Sequence, residues 1–240
     1  MAFTNQMLND RKEKDCISIT HERKYYRSGV SFIKRSLRPK EWQVSQFKGT
    51  IHVPRKGRER ILNEAATLQF LKENSTIPIP QLYCCFEDDD AVYLVMEYVE
   101  GVSMDRLTED QRARVEGELE KHIQDLHALR SSRTGGPTGL VIPPYRAMQK
   151  SFNENWEPQQ SDKDEFVFCH NDLSQHNVIV DPNSLKIRAI IDWEYAGFYP
   201  AYFDRLFFRR KGPSVAVDGE TDDSEILLDF LQLRRQGNLT

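Results

Sequence analysis

Only four cysteines occur in 240 residues, none of them in a C-x-x-C pair. Neither a zinc site nor a disulfide framework is therefore written into the chain. Cys16, Cys84, Cys85 and Cys169 read as small buried hydrophobes of a reducing compartment, with a strand sending the adjacent Cys84 and Cys85 to opposite faces. A basic excess is missing too: 33 Lys+Arg against 37 Asp+Glu leave a net charge of −4. That charge supplies no field for a phosphate backbone, and no nucleic-acid partner is expected. The apolar runs, such as Val92 to Met96, fall far short of the roughly 20 residues that span a bilayer. The first fifteen residues carry charge where an export signal needs an apolar stretch, so we expect a cytoplasmic chain, with the nucleus as the other compartment, and no membrane partner. Glycine is absent before Gly29, which removes a G-x-G-x-x-G phosphate loop from the first segment. What remains is an ordinary globular composition, 39% hydrophobic and 29% charged, sufficient for one large domain or two parts sharing a cleft.

The first half reads as β-rich. Val30 to Lys34 follows a Ser28-Gly29 turn and pairs with a weaker strand around Arg23 to Arg27. Residues 35–57, broken by Pro39, Gly49, Pro54 and Gly57, read as an insertion anchored by Trp42 and Phe47. Helical spacing of Ile61, Ala65 and Leu68, with Glu64 beside them, predicts a helix from Arg58 to Asn74. Two further strands, Gln81 to Phe86 and Ala91 to Met96, flank the acidic turn Glu87-Asp88-Asp89-Asp90. Beyond Gly101 the pattern turns helical. Thr108 and Gln111 form a capping box, and Val115, Leu119, Ile123, Leu126 and Leu129 make one buried stripe. Gly135-Gly136-Pro137 reads as a connecting loop, the aromatic run from Phe198 to Phe208 as core or groove lining, and Asp218 to Glu225 as a solvated acidic loop that ends in a helix cap.

The chemistry concentrates between two apolar strands. His170-Asn171-Asp172-Leu173-Ser174-Gln175-His176-Asn177 forms a short polar loop, and fifteen residues past Asn177 the apolar run Ala189-Ile190-Ile191 ends in Asp192-Trp193-Glu194. A loop carboxylate, a loop amide and a strand-end carboxylate that meet at one point suit phosphoryl transfer from a nucleotide. One carboxylate accepts the proton of the attacking hydroxyl, while the amide oxygen and second carboxylate hold Mg²⁺ against the phosphates. The spacing is H-x-D-L-x-x-x-N followed by a metal-binding Asp.

These residues resemble the aminoglycoside phosphotransferase and choline kinase-like superfamily, and within it a fungal branch. The resemblance runs from about Arg23 to Phe208 and is strongest from Phe166 to Asp204. It implies an α+β, bilobal protein-kinase-like fold: a small N-terminal antiparallel sheet with one helix, and a larger, mainly helical C-terminal lobe. The expected divisions are a tail over 1–15, a small lobe over 16–97 with the 35–57 insertion, a hinge over 98–101 and a large lobe over 102–240. Carried over by position, Asp172 is the catalytic base, His170 braces its loop, and Asn177 and Asp192 bind Mg²⁺. Met96 closes the strand before the hinge, and adenine meets the backbone of Glu97 and Val99. Glu64 pairs with the phosphate-binding lysine, and Asp204 supports the catalytic loop. Lys34 resembles the lysine of V-A-I-K, with Lys56 as the fallback; hydroxyls near Ser18 and Thr20 stand in for the missing glycine loop. The implied activity is an ATP- and Mg²⁺-dependent O-phosphotransferase acting on a small hydroxyl-bearing molecule. The alternatives are an inactive kinase-like nucleotide-binding or interaction module and, with no A-P-E after Asp192, less readily a protein kinase.

Overall fold

The computed structural model describes residues 3–45 and 49–232; the expected anchor Phe47 lies outside them. Helix α1 (Asn5–Asn9) starts on a Thr4 cap, so part of the expected tail is folded, with Asn5 Nδ2 donating to Ile19 O (3.2 Å). Strands β1 (Cys16–Ile19), β2 (Arg23–Ser28) and β3 (Ser31–Ser36) follow, then β4 (Gln43–Val44) and β5 (Ile51–His52), helix α2 (Gly57–Asn74), β6 (Leu82–Asp88) and β7 (Ala91–Glu97). β1 was not foreseen; it is short, and half of it faces outward.

β1, β2, β3, β7 and β6 form, in that order, an antiparallel sheet. Gly29, at φ +58°, supplies the left-handed residue of the two-residue β2–β3 turn. The β6–β7 turn is Asp89-Asp90 alone, both left-handed, and Glu87 and Asp88 belong to the strand. Arg35 and Ser36, read as the start of the insertion, instead finish β3. Glu41 neutralises Arg35 through two hydrogen bonds (2.6 and 2.9 Å), and Ser36 Oγ accepts from the Val92 N–H (2.9 Å).

After residues 98–101 come β8 (Val102–Ser103), α3 (Glu109–Ala128), β9 (Arg130–Ser131), α4 (Tyr145–Met148), β10 (Phe166–Cys169), β11 (Val178–Val180), β12 (Ile187–Ile190), β13 (Gly197–Tyr199) and α5 (Ser224–Gln232). Three-stranded sheets β13-β10-β9 and β12-β11-β8 bracket the polar loop. This portion is less helical than the resemblance implies: beside α3 it is built mainly from short strands, 3-10 turns and loops. No helix among the described residues is long and apolar enough to cross a membrane.

One apolar core joins the two halves. Ile61, Leu68 and Leu71 of α2 meet Leu94 and Met96 of β7, and the same cluster continues through Leu119 and Ile123 of α3 to Phe168, Val178, Val180 and Trp193. Tyr199, Phe203 and Phe208 are fully buried, so the aromatic run is mostly core, with Tyr202 exposed. The acidic stretch is pinned by ion pairs of Arg146 with Asp223, Lys150 with Asp222 and Arg210 with Glu220. All four cysteines are free, and Cys169 alone is buried; on β6 Cys84 projects from the outer face of the sheet into solvent, while Cys85 packs against the core.

The loop around Gly135-Gly136 packs against α2 and β13. A Cβ at Gly197 would lie 2.7 Å from both the carbonyl carbon and oxygen of Gly135, atoms with no room to give. Gly197→Ala should therefore destabilise the fold by about 1–3 kcal/mol. Gly117→Ala, in an α3 position with no neighbour within 4 Å, should stabilise it by about 0.4–1 kcal/mol. Urea unfolding of the two variants should show these opposite signs.

Candidate active site

Lys34 and Glu64 are thirty residues apart in the chain, and the sheet with its packed helix brings them together. Lys34 sits on β3. Glu64 shares the sheet-facing side of α2 with Ile61, Ala65 and Leu68. Lys34 Nζ donates to Glu64 Oε1 (2.7 Å) and Oε2 (2.8 Å) and to Asp192 Oδ1 (2.5 Å). The Lys34 and Glu64 side chains are buried, whereas Asp192 keeps 33% of its side chain exposed. Burial opposes the charge on Lys34, but Asp192 and Glu64 outweigh it and raise its pKa. Burial also works against ionised Asp192, yet Lys34 and then Arg23 hold its carboxyl down to about 2. Glu64, deeper still, is pushed up to about 7 by burial. Lys56 takes no part in this cluster: it caps α2 in a left-handed conformation and faces a separate cavity beside Trp42 and Arg58.

The polar loop is stitched from every side. Asn171 is left-handed (φ +68°); its N–H donates to Asp204 Oδ1 (3.1 Å) and its Nδ2 to Tyr195 O (2.8 Å). His127 on α3 holds the other oxygen of Asp204 (3.2 Å). His170 is buried against Trp193, with ring centroids 4.4 Å apart. Its Nε2 lies 3.0 Å from Ile191 O, and its Nδ1 accepts from the Asp172 N–H (3.2 Å). That pattern is satisfied by neutral imidazole, in keeping with burial lowering its pKa. Asn177 Nδ2 donates to Asp172 O (2.7 Å) and, less directly, to Asp172 Oδ2 (3.4 Å). The Ile191 N–H donates to Asn177 O (2.9 Å), tying the loop to the Asp192 turn, itself left-handed at φ +68°. Burial first and the Asp192 charge second push the Asp172 carboxyl up to about 7.

A cavity of about 260 Å³ opens beside this cluster. Lys34 and Asp192 stand at one end, Met96, Glu97, Tyr98 and Val99 at the other, and Tyr25, Phe32 and Ile179 form the walls. The expected phosphate donors near Thr20 are not free. The Thr20 N–H donates to Arg23 O (2.9 Å), and Thr20 Oγ1 accepts from the N–H groups of Glu22 (3.3 Å) and Arg23 (3.1 Å). The β1–β2 turn therefore consumes most of its own donors, while Ser18 points outward.

Sequence reasoning missed the residues that lock this site. Glu194 pairs with Arg23 from β2 and with Arg60 from α2 (3.1 Å), all three buried. Arg60 also reaches Glu22 (2.5 Å) and the Tyr195 hydroxyl, and Asn63 Nδ2 donates to the carbonyls of Glu194 (3.2 Å) and Ala196 (2.9 Å). Burial disfavours both arginine charges, but Glu194 more than compensates and raises their pKa values. The available signal was Glu194 itself, a second carboxylate two residues after Asp192. Oxygens of Glu64, Asp192 and Glu194 converge within 4.8 Å of one another, a hard donor set of the kind a divalent cation accepts. Glu194→Gln strips the countercharge from two buried arginines and should cost about 3–5 kcal/mol in denaturant unfolding.

Comparison with known proteins follows the same lines. Human ethanolamine kinase 2 is 27% identical over 162 residues, covering 59% of this chain and 40% of that protein. Mouse ethanolamine kinase 2 is 25% identical over 236 residues, covering 79% and 59%. An aminoglycoside 3'-phosphotransferase of Streptomyces fradiae is 27% identical over 154 residues, covering 54% and 56%. The chain thus spans 40% to 59% of the lengths of these curated relatives. The fold is that of an aminoglycoside phosphotransferase from Streptomyces rimosus, with a TM-score of 0.56 and 17% identity over 82% of this chain and 77% of that one. Sequence and fold converge, and the chain, matched over residues 40–141 and 142–222, belongs to the phosphotransferase enzyme family.

Proposed function

We propose that the protein is an ATP- and Mg²⁺-dependent O-phosphotransferase acting on a small hydroxyl-bearing molecule, with the sheet and α2 as the nucleotide-binding lobe and residues 102–240 as the second lobe. The observation that carries this reading is Lys34 Nζ bonded to both Glu64 and Asp192, with Asp172 and Asn177 hung from the same turn. In phosphoryl transfer the protein's work is positioning and electrostatic stabilisation. Lys34 presents its charge to the nucleotide phosphates, and the backbone of Glu97 and Val99 meets the base at the far end of the cavity. Asp192 and Asn177 would hold the metal, Asn177 through the amide oxygen left when its nitrogen donates to Asp172. Bound Mg²⁺ supplies charge neutralisation on the phosphate oxygens. Asp172 orients the acceptor hydroxyl and accepts its proton, while His170, Asn171 and Asp204 keep the loop in place.

The names of the relatives, ethanolamine kinase and aminoglycoside phosphotransferase, support a small hydroxyl acceptor without choosing one, because acceptor identity follows the site and not the fold. A protein kinase fits less well: the eleven residues between Asp192 and Asp204 are taken up by packed 3-10 turns and β13. Four free cysteines are in keeping with a cytoplasmic setting. One observation favours the second reading, a module without turnover: the self-satisfied turn at Thr20.

Melting with and without ATP and Mg²⁺ separates the two. Mass action should raise Tm in the wild type, lose the Mg²⁺-dependent part in Asp192→Ala, and weaken in Lys34→Ala but not in Lys56→Ala. No shift at saturating nucleotide would favour the inert module. Because Asp172 accepts a proton only when ionised and titrates at about 7, kcat/KM should climb as pH rises through about 7 and then level. A profile flat across that range would remove Asp172 from the role of base.

A further inference from the structure

Apart from the carboxylates beside Lys34, one other set of metal-ligating side chains converges among the described residues. A ring nitrogen of His127, the Sγ of Cys169 and a carboxylate oxygen of Asp204 lie within 4.8 Å of one another. His127 stands in the last turn of α3, Cys169 is the last residue of β10, and Asp204 follows the 3-10 turn Ala201–Phe203. The core that joins Leu119 and Ile123 to Phe168 seats α3 against β10 and brings the three together. No local motif announces such a set, since His127 and Asp204 are 77 residues apart in the chain.

The atoms already stand close to a coordination sphere. His127 Nε2 lies 3.2 Å from Asp204 Oδ2, and two ligands at roughly 2.1 Å from a tetrahedral Zn²⁺ are themselves roughly 3.4 Å apart. Asp204 Oδ1 accepts from the Asn171 N–H (3.1 Å), so one oxygen holds the polar loop while the other is turned toward His127. No lysine or arginine pairs with the buried Asp204 carboxylate among the described residues. Cys169 is buried as well, its Sγ making only long contacts to the carbonyl oxygens of Val167 (3.6 Å), Tyr199 (3.9 Å) and Pro200 (3.9 Å). A thiol is a weak donor, and such contacts yield to a metal–sulfur bond. His127 keeps 25% of its side chain exposed, which gives an ion a way in.

We propose that His127, Cys169 and Asp204 bind one thiophilic divalent cation of the Zn²⁺ class, with water in the fourth position. A dication held by one thiolate, one carboxylate and one neutral imidazole carries no net charge, as a buried site requires. Binding releases the Cys169 thiol proton to solvent and replaces the hydrogen bond between His127 and Asp204 with a bond from each to the ion. The sulfur sets this site apart from the all-oxygen group of Glu64, Asp192 and Glu194, since thiolate selects a softer ion than Mg²⁺. Cys169 directly precedes His170, and Asp204 Oδ1 remains on Asn171, so the ion ties α3 to the root of the polar loop. The site shares no residue with the proposed Mg²⁺ ligands and does not depend on the phosphotransferase reading.

Titrating the reduced, metal-free full chain with Co²⁺, a spectroscopic substitute for Zn²⁺, tests this without nucleotide. A thiolate-to-cobalt absorption band should grow in the near ultraviolet and saturate at the intensity of a single Co–S bond. Equimolar Zn²⁺ should abolish the band, and excess Mg²⁺ should leave it unchanged. Zn²⁺ should also raise Tm by mass action. Cys169→Ser should lose both the band and the Zn²⁺-dependent rise, whereas Cys84→Ser, at an exposed thiol, should keep both. His127→Gln, at a partly exposed position, serves where Cys169→Ser fails to fold; it should lose the band at Co²⁺ concentrations that saturate the wild type. Absence of a thiolate band overturns the inference and leaves His127 and Asp204 as a hydrogen-bonded brace. A band that survives Cys169→Ser or His127→Gln, or that disappears in Cys84→Ser, places the ion on other cysteines and overturns it as well.

Discussion

A single buried ammonium organises this molecule. Lys34 Nζ lies within hydrogen-bonding distance of carboxylates from α2 and from the Asp192 turn, so sheet, helix and polar-loop region converge on one charge. Removing such a charge from water is costly, and attraction between the partners offsets that cost only when the geometry is tight. The arrangement therefore acts as a constraint on geometry more than as a reserve of stability. β3 must run in register with β7, and α2 must present Glu64 inward. The Asp192 backbone must also adopt the left-handed conformation that brings its carboxylate to Lys34.

A second layer of buried charge makes that constraint rigid. Glu194 receives arginines from β2 and α2, so the strand after the Thr20 turn and the helix carrying Glu64 are bound to the same 3-10 turn. Asn63 adds neutral hydrogen bonds to that turn's backbone. Apolar packing supports both layers: Trp193, fully buried, stacks near His170 and belongs to the cluster that includes Leu68 and Leu94. Asn171 and Asp192 are held in left-handed conformations, which non-glycine residues sustain only where surrounding structure fixes them. Here Asp204, Tyr195 and Lys34 provide that fixation.

Much of this was legible in one dimension because the signals are local. The Asp172 and Asn177 loop reads from spacing between two apolar strands, the Thr108 cap and α3 stripe from helical period, and the Gly29 turn from its flanking strands. Long-range features left weaker traces. Arg35 and Ser36 were grouped with the insertion broken by Pro39, Gly49, Pro54 and Gly57, whereas Glu41 folds back to neutralise Arg35 and β3 runs on through Ser36. Arg23 and Arg60 fell within a predicted strand and a predicted helix, and nothing in their local neighbourhood pointed to their buried partner Glu194. Cys84 was placed inside on residue type alone, but it projects from the face of β6 opposite Cys85, which packs on the core.

The sequence by itself determined which side chains are available for chemistry and which segments become strand, helix or tight turn, since periodicity, capping and turn propensity act within a few residues. Only the tertiary structure decided which charges are buried together: whether Lys34 or Lys56 meets Glu64, which arginines Glu194 neutralises, and that Thr20 spends its hydroxyl on its own turn. These outcomes depend on desolvation and Coulomb energy among groups as many as 158 residues apart, quantities that exist only once the chain has closed around them.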